Sequence, residues 1–213
     1  MKHMLNRGFL IATMLFVGVT YTGAYFSDSV ISSGNTFTAG TWTPGPVTIT
    51  EVLYDPSGVD SGLEWIELAN NGLYTINLSG YVMHCDNIVA SYDFVFPTFS
   101  LLPGSKVVVH LRAAGVNSST DLYWLDTGSD NMGDTSGSVG LFKDSTKDFT
   151  VMMDFVQYGA GDQDGENKAV TAGIWIEDDF VFDVVGGHSI QLISTDSNSS
   201  ADWFDQSVPN SGA

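Results

Sequence analysis

From Val47 onward the chain runs in short stretches where apolar and polar residues alternate, broken by Gly, Pro, Asn or Asp about every ten positions. A period of two puts successive side chains on opposite faces of an extended backbone. Val47–Tyr54, Glu64–Asn70, Tyr81–Cys85, Tyr92–Phe96, Lys106–Leu111 and Leu122–Leu125 are therefore read as strands. So are Ser138–Lys143, Thr150–Tyr158, Ile174–Val185, Ser189–Ile193 and Trp203–Phe204. Many short strands with turn residues between them predict an all-β chain, an antiparallel β-sandwich. Beyond the N-terminal segment no stretch holds a helical period, so no helix is expected there.

The opening pair is the clearest. Ile49–Leu68 (ITEVLYDPSGVDSGLEWIEL) sets two alternating segments around a loop rich in Gly, Pro, Ser and Asp. Trp65 and Glu67 fall on one face of the second strand; Glu64, Ile66 and Leu68 fall on the other. Neither face is wholly apolar, so periodicity leaves open which one is buried. Leu102-Pro103-Gly104 reads as a tight turn, with Pro fixing φ and Gly free to take positive φ. Asp126–Gly137 and Ala160–Asn167 read as acidic, glycine-rich loops.

Ahead of the strands, Lys2, His3 and Arg7 start an apolar run at Gly8–Val19, and the small residues Thr22, Gly23 and Ala24 follow. This is the layout of an export signal, residues 1–24, with cleavage expected after Ala24. The competing reading is an uncleaved anchor, because the weakly polar stretch Gly8–Phe26 approaches the length that spans a bilayer. Either way the rest of the chain is expected outside the cytoplasm. Residues 25–46 then form a β-prone segment, Tyr25–Trp42, and a Thr43–Pro46 linker, leaving 47–213 as the main domain.

Charge narrows the partners. The sequence has 25 acidic against 7 basic side chains, a net charge of −18, and the leader holds two of the basic residues and no acid. Such a surface repels nucleic acid and anionic lipid, so neither is expected as a partner. Cys85 is the single cysteine, which rules out an intrachain disulfide and reads as a small buried apolar residue.

ITEVLYDPSG with Glu64–Asn71, then Leu78-Ser79-Gly80-Tyr81-Val82, Phe94–Pro97 and Leu101–Gly104 with Val107–Val109, stand in a telling order. Gly133-Asp134 with Val139–Asp144, Asp154–Tyr158, Gly187–Leu192, Asp202-Trp203 and Pro209–Ala213 continue it. The ordered set resembles the lamin tail domain over roughly Val47 to Ala213. The resemblance implies an immunoglobulin-like β-sandwich in which Glu64, Trp65, Glu67, Gly80 and Trp203 belong to the fold signature. No heptad rod accompanies it, so nothing supports a nuclear filament protein. Gly23–Asp28 and Asn35–Thr41 are similar to the start of exported biofilm-matrix fibre proteins and camelysin-like proteins, a likeness that ends at about Trp42. It implies export through a dedicated signal peptidase and bears on route and assembly rather than activity.

Candidate chemistry is sparse. His84, His110 and His188 stand alone in strands, without the H-E-x-x-H or clustered spacing of a metal centre. No G-x-S-x-G elbow occurs, nor a phosphate-cradling glycine loop ahead of a helix. Glu64 and Glu67 are three apart on a strand, point to opposite faces and so cannot form an acid–base pair. No catalytic residue or cofactor is assigned, and no enzyme activity is expected. Calcium is the one inorganic candidate. Asp162, Asp164 and Glu166 offer hard oxygen donors in a glycine-rich loop, as do Asp126, Asp130 and Asp134, although neither loop has EF-hand spacing. Among the tryptophans, the resemblance implies that Trp65 and Trp203 lie in the core, leaving Trp42, Trp124 and Trp175 as candidates for a carbohydrate groove.

The expectation is a secreted or cell-surface, non-catalytic binding or structural module that contacts extracellular protein or matrix. Tyr25–Trp42 could add as a strand to the sheet edge of a neighbouring copy. The alternatives are an accessory partner of an extracellular nuclease or protease, and a calcium- or carbohydrate-binding surface domain.

Overall fold

The structure, a computed structural model, describes residues 46–58, 62–86, 91–125, 132–193 and 195–212. The leader, Tyr25–Trp42, Asp126 and Asp130 lie outside them. The larger sheet contains β1 (Val47–Leu53), β2 (Trp65–Asn70), β7 (Lys106–Leu111), β8 (Asp121–Trp124), β11 (Ser189–Leu192) and β12 (Trp203–Gln206). Its spatial order is β12-β11-β1-β2-β7-β8. The smaller sheet holds β4 (Val82–Asp86), β5 (Ser91–Val95), β9 (Gly137–Phe142) and β10 (Met152–Tyr158), in the order β10-β9-β4-β5. A short ribbon pairs β3 (Ile76–Asn77) with β6 (Ser100–Leu101).

Alternation explains the core. Ile49, Ile66, Leu68, Val107 and Val109 of the larger sheet join Met83, Cys85, Val139, Leu141 and Val156 of the smaller in one buried cluster. Tyr54 and Tyr158 stack within it, ring centres 3.8 Å apart. The β1–β2 register shifts between Ile49 and Glu51. There the Ile49 N–H donates instead to Asp154 Oδ2 on β10, at 2.5 Å, which ties the two sheets together. The two faces of β2 are both covered. Ile66 and Leu68 enter the main core, whereas Trp65 packs with Leu53 and Val108 in a separate cluster. A strand buried on both faces cannot be assigned an inner side from its pattern.

Three sequence expectations need correction. First, the acidic loop at Ala160–Asn167 runs into a helix, α1 (Glu166–Ala172), bounded by Gly165 and Gly173 in left-handed conformations. A helix of seven residues is too short to be stable alone and shows almost no period. Burial of Ala169 and Glu166 holds it. Second, Ile174–Val185 is no strand; it makes a single parallel bridge, Tyr158↔Val181. Its backbone is used elsewhere, as where the Val184 N–H donates to Tyr54 Oη. Third, not every pairing is antiparallel. β7 and β8 pair in parallel, because residues 112–120 carry the chain back to the start of β7 before β8 begins.

Candidate functional site

Of the residues that the resemblance assigns to the fold signature, Glu64, Trp65, Glu67 and Trp203 are buried. Glu64 is buried, and its Oε1 accepts the Met132 N–H at 3.3 Å. Glu67 is fully buried and accepts from Thr50 Oγ1 at 2.6 Å, Lys106 Nζ at 3.0 Å and Gly212 N at 2.6 Å. Gly80 turns the chain at φ +82° into β4. Trp203 opens β12.

The calcium candidates diverge. Asp164 Oδ2 lies 2.9 Å from His84 Nε2. Glu166 turns inward, where Oε2 accepts the Asp162 N–H and Oε1 accepts the Asp178 N–H, both at 2.5 Å. Glu166 therefore serves as an internal staple between two turns, and its oxygens are already used. Among the described residues no three His, Cys, Asp or Glu side chains group as a metal site would require. Trp175 is also unavailable to a sugar. It is buried edge-on against Phe155, and its Nε1 donates to Asp179 O at 2.7 Å. Trp124 is half-buried beside Tyr92 and Phe94.

Each described histidine faces an aspartate, which sequence spacing did not reveal. His84 is the most connected. Nδ1 lies 2.5 Å from Asp93 Oδ1, Nε2 reaches Asp164, and Lys147 Nζ bonds Asp93 at 2.9 Å. Burial opposes the charge on Asp93, but the bonds from Lys147 and His84 outweigh it and hold the carboxyl below its usual range. Asp164 is lowered through the same balance, with burial opposed by His84 and Lys168. His110 pairs with Asp121 at 3.0 Å and His188 with Asp205 at 2.6 Å. The signal was available only as register. His84 and Asp93 are direct partners across β4 and β5, but the intervening Asn87–Ala90 carries no Gly or Pro to announce a hairpin. The His84 network braces the sandwich, whereas the His110–Asp121 and His188–Asp205 pairs are partly exposed.

An exposed aromatic surface lies at one edge of the larger sheet. β12 and β8 are its two outermost strands, and outermost strands present unpaired main-chain groups. Beside β12 runs a groove of about 610 Å³ between residues 180–184 and 200–205. Phe182 is 80% exposed and Phe204 38%, while Phe180 meets Phe182 edge to face at 5.8 Å. Trp203 also lines it, and the indole N–H of that ring is buried without a hydrogen-bond partner. The groove's two acids are occupied, Asp183 by the Tyr54 hydroxyl and Asp205 by His188. The groove thus sets exposed aromatic rings beside two hydrogen-bonded but exposed aspartates. Sequence reasoning missed it by reading Ile174–Val185 as a strand.

The family model of the Lamin Tail Domain matches residues 41–207. A search of curated proteins finds no match.

Proposed function

The chain belongs to the lamin tail domain family, and from that premise we propose that it is exported and binds its partner through the aromatic groove beside β12. The family consists of structural immunoglobulin-like domains that are not typically enzymes, and a non-catalytic binding or structural role is the role it supports. The observation that carries the proposal is the exposure of Phe182 and Phe204 along a sheet edge, where buried core would be expected. An added strand would bond to the open edge of β12 and set its apolar side chains against these rings. The partner is an extracellular protein or matrix component. Its most specific form is residues 25–42 of a second copy, a segment that carries Tyr25, Phe26, Ile31, Phe37 and Trp42.

The test pairs a surface change with a deletion. Phe182→Ser combined with Phe204→Ser removes the apolar lining, and deletion of residues 25–42 removes the strand. Light scattering should show both variants smaller than the unaltered protein, with thermal midpoints within about 2 °C of it. Unchanged particle size in either variant would sink the assembly form. Export is tested by the intact mass of the protein recovered from outside the cell, which should begin at Tyr25; a mass that includes residues 1–24 would favour the uncleaved anchor.

A further inference from the structure

On the outer face of the larger sheet, Glu51 of β1 and Glu67 of β2 are direct cross-strand partners, and both are fully buried. Like charges set opposite each other in a ladder repel, and buried carboxylates demand donors. Side chains supply some of them. Ser189 Oγ and Gln191 Nε2 reach Glu51 at 2.5 and 3.1 Å, while Thr50 Oγ1 and Lys106 Nζ reach Glu67. Main-chain groups of one segment supply others. Asn210 N donates to Glu51 Oε1 at 3.1 Å, and Gly212 N donates to Glu67 Oε2 at 2.6 Å.

The segment bends at Ser207 and Val208 and turns at Ser211 and Gly212, the last at φ +78°, and so brings two of its N–H groups to carboxylates on neighbouring strands. Gln191 Nε2 also donates to Asn210 Oδ1 at 2.8 Å, so the side chain at that position is read as well. The segment itself buries no large apolar group, and Val208 is 73% exposed. It is held by polar bonds, beside a cavity of about 780 Å³ lined in part by Lys106, Thr120, Asp121, Ser211 and Gly212. Lifting such a strap exposes two opposed acids that need donors again.

We propose that Glu51 and Glu67 form a main-chain recognition site, filled in cis by residues 207–212 and exchangeable for the same segment of a second copy. The segment seated there displays what the site fits: two N–H donors, an asparagine within reach of Gln191, and small residues that need no pocket. The site uses different chemistry from the groove beside β12, although Phe204 of that groove shares its face of the sheet through direct pairing with Gln191.

A fluorescent peptide of residues 207–213 tests it by anisotropy. The full chain carrying Asn210→Pro loses the N–H and amide that seat its own strap, and should bind the peptide at least about tenfold more tightly than the unaltered chain. Adding Glu67→Gln should weaken that binding several-fold, and a peptide with Pro in place of Asn should not bind. A chain ending at Gln206 serves as a second acceptor, with near-UV circular dichroism reporting its fold. Sedimentation in the Phe182→Ser/Phe204→Ser background, which removes association through the groove, should show a dimer that grows with concentration and is lost with Asn210→Pro. Equal peptide binding by the variant and unaltered chains, binding of the Pro peptide, or absence of that dimer would each overturn the proposal.

Discussion

At His84 a buried imidazole, two aspartates and Lys147 join β4, β5, the turn before α1 and the β9–β10 connection. Each charge-assisted bond is worth about 1.5–3 kcal/mol, discounted here because Asp93 and Asp164 are nearly half exposed. His84→Ala should therefore destabilise the fold by about 2 kcal/mol, read as a lower urea midpoint at pH 7. Both carboxyls are lowered in the folded protein, so this contribution is present above their unfolded value of 3.8 and is lost as pH falls through the folded values. The gap between the two proteins should close below pH 3.8; a constant gap would rule out the ionic clamp. Asp154 has the opposite sign. Burial first, and then Asp196, push its carboxyl well up, so the fold favours the protonated form. That stability is full below 3.8 and is lost as pH rises through the raised value. Asp154→Asn, which cannot ionise, should show a flatter loss of stability between pH 4 and 7, and matching slopes would count against this account. None of this was legible from histidines that stand alone in the sequence, because a partner nine positions away becomes a neighbour only through register.

Among the elements, β10 and α1 show where short-range pattern stops. Gly159 ends β10 at φ +76°, and its N–H donates to Val181 O at 2.8 Å. A Cβ there would stand 1.8 Å from Thr135 O, which is backbone and cannot swing away. Gly80 has a similar φ of +82° with nothing within 4 Å of a Cβ. Gly159→Ala should therefore cost more than about 3 kcal/mol, whereas Gly80→Ala should cost about 1 kcal/mol, through backbone strain alone. Denaturation of the two variants side by side checks this, and equal losses would show that crowding at Gly159 is relieved by movement. Alternation located most strands within a few residues, since each has a face in the core. It failed for α1, where two bounding glycines and one buried alanine set a helix too short to leave a period. It failed again at Phe180–Val185, where Val181 enters the core while Phe180 and Phe182 line an open groove.

For the whole molecule, a net charge of −18 means that the folded state works against its own repulsion. Raising the salt from about 0.02 to 0.5 M shortens the Debye length from roughly 20 to 4 Å. The thermal midpoint should rise with salt at pH 7, and rise less at pH 4, where many carboxylates are neutral. A midpoint that falls with salt would point to the ion pairs, rather than to net charge, as the dominant electrostatic effect. The sequence alone determined the sandwich and the membership of the lamin tail family. These depend on alternation, turn residues and motif order, all of them local or written in chain order. Only the tertiary structure decided which acids are bracing and which surface is open. Glu67 became the seat of a distant strap, Glu166 an internal staple, and Phe182 an exposed wall. Each role is set by residues far away in the chain, and a side chain's environment is a property of the packed molecule rather than of its neighbours in sequence.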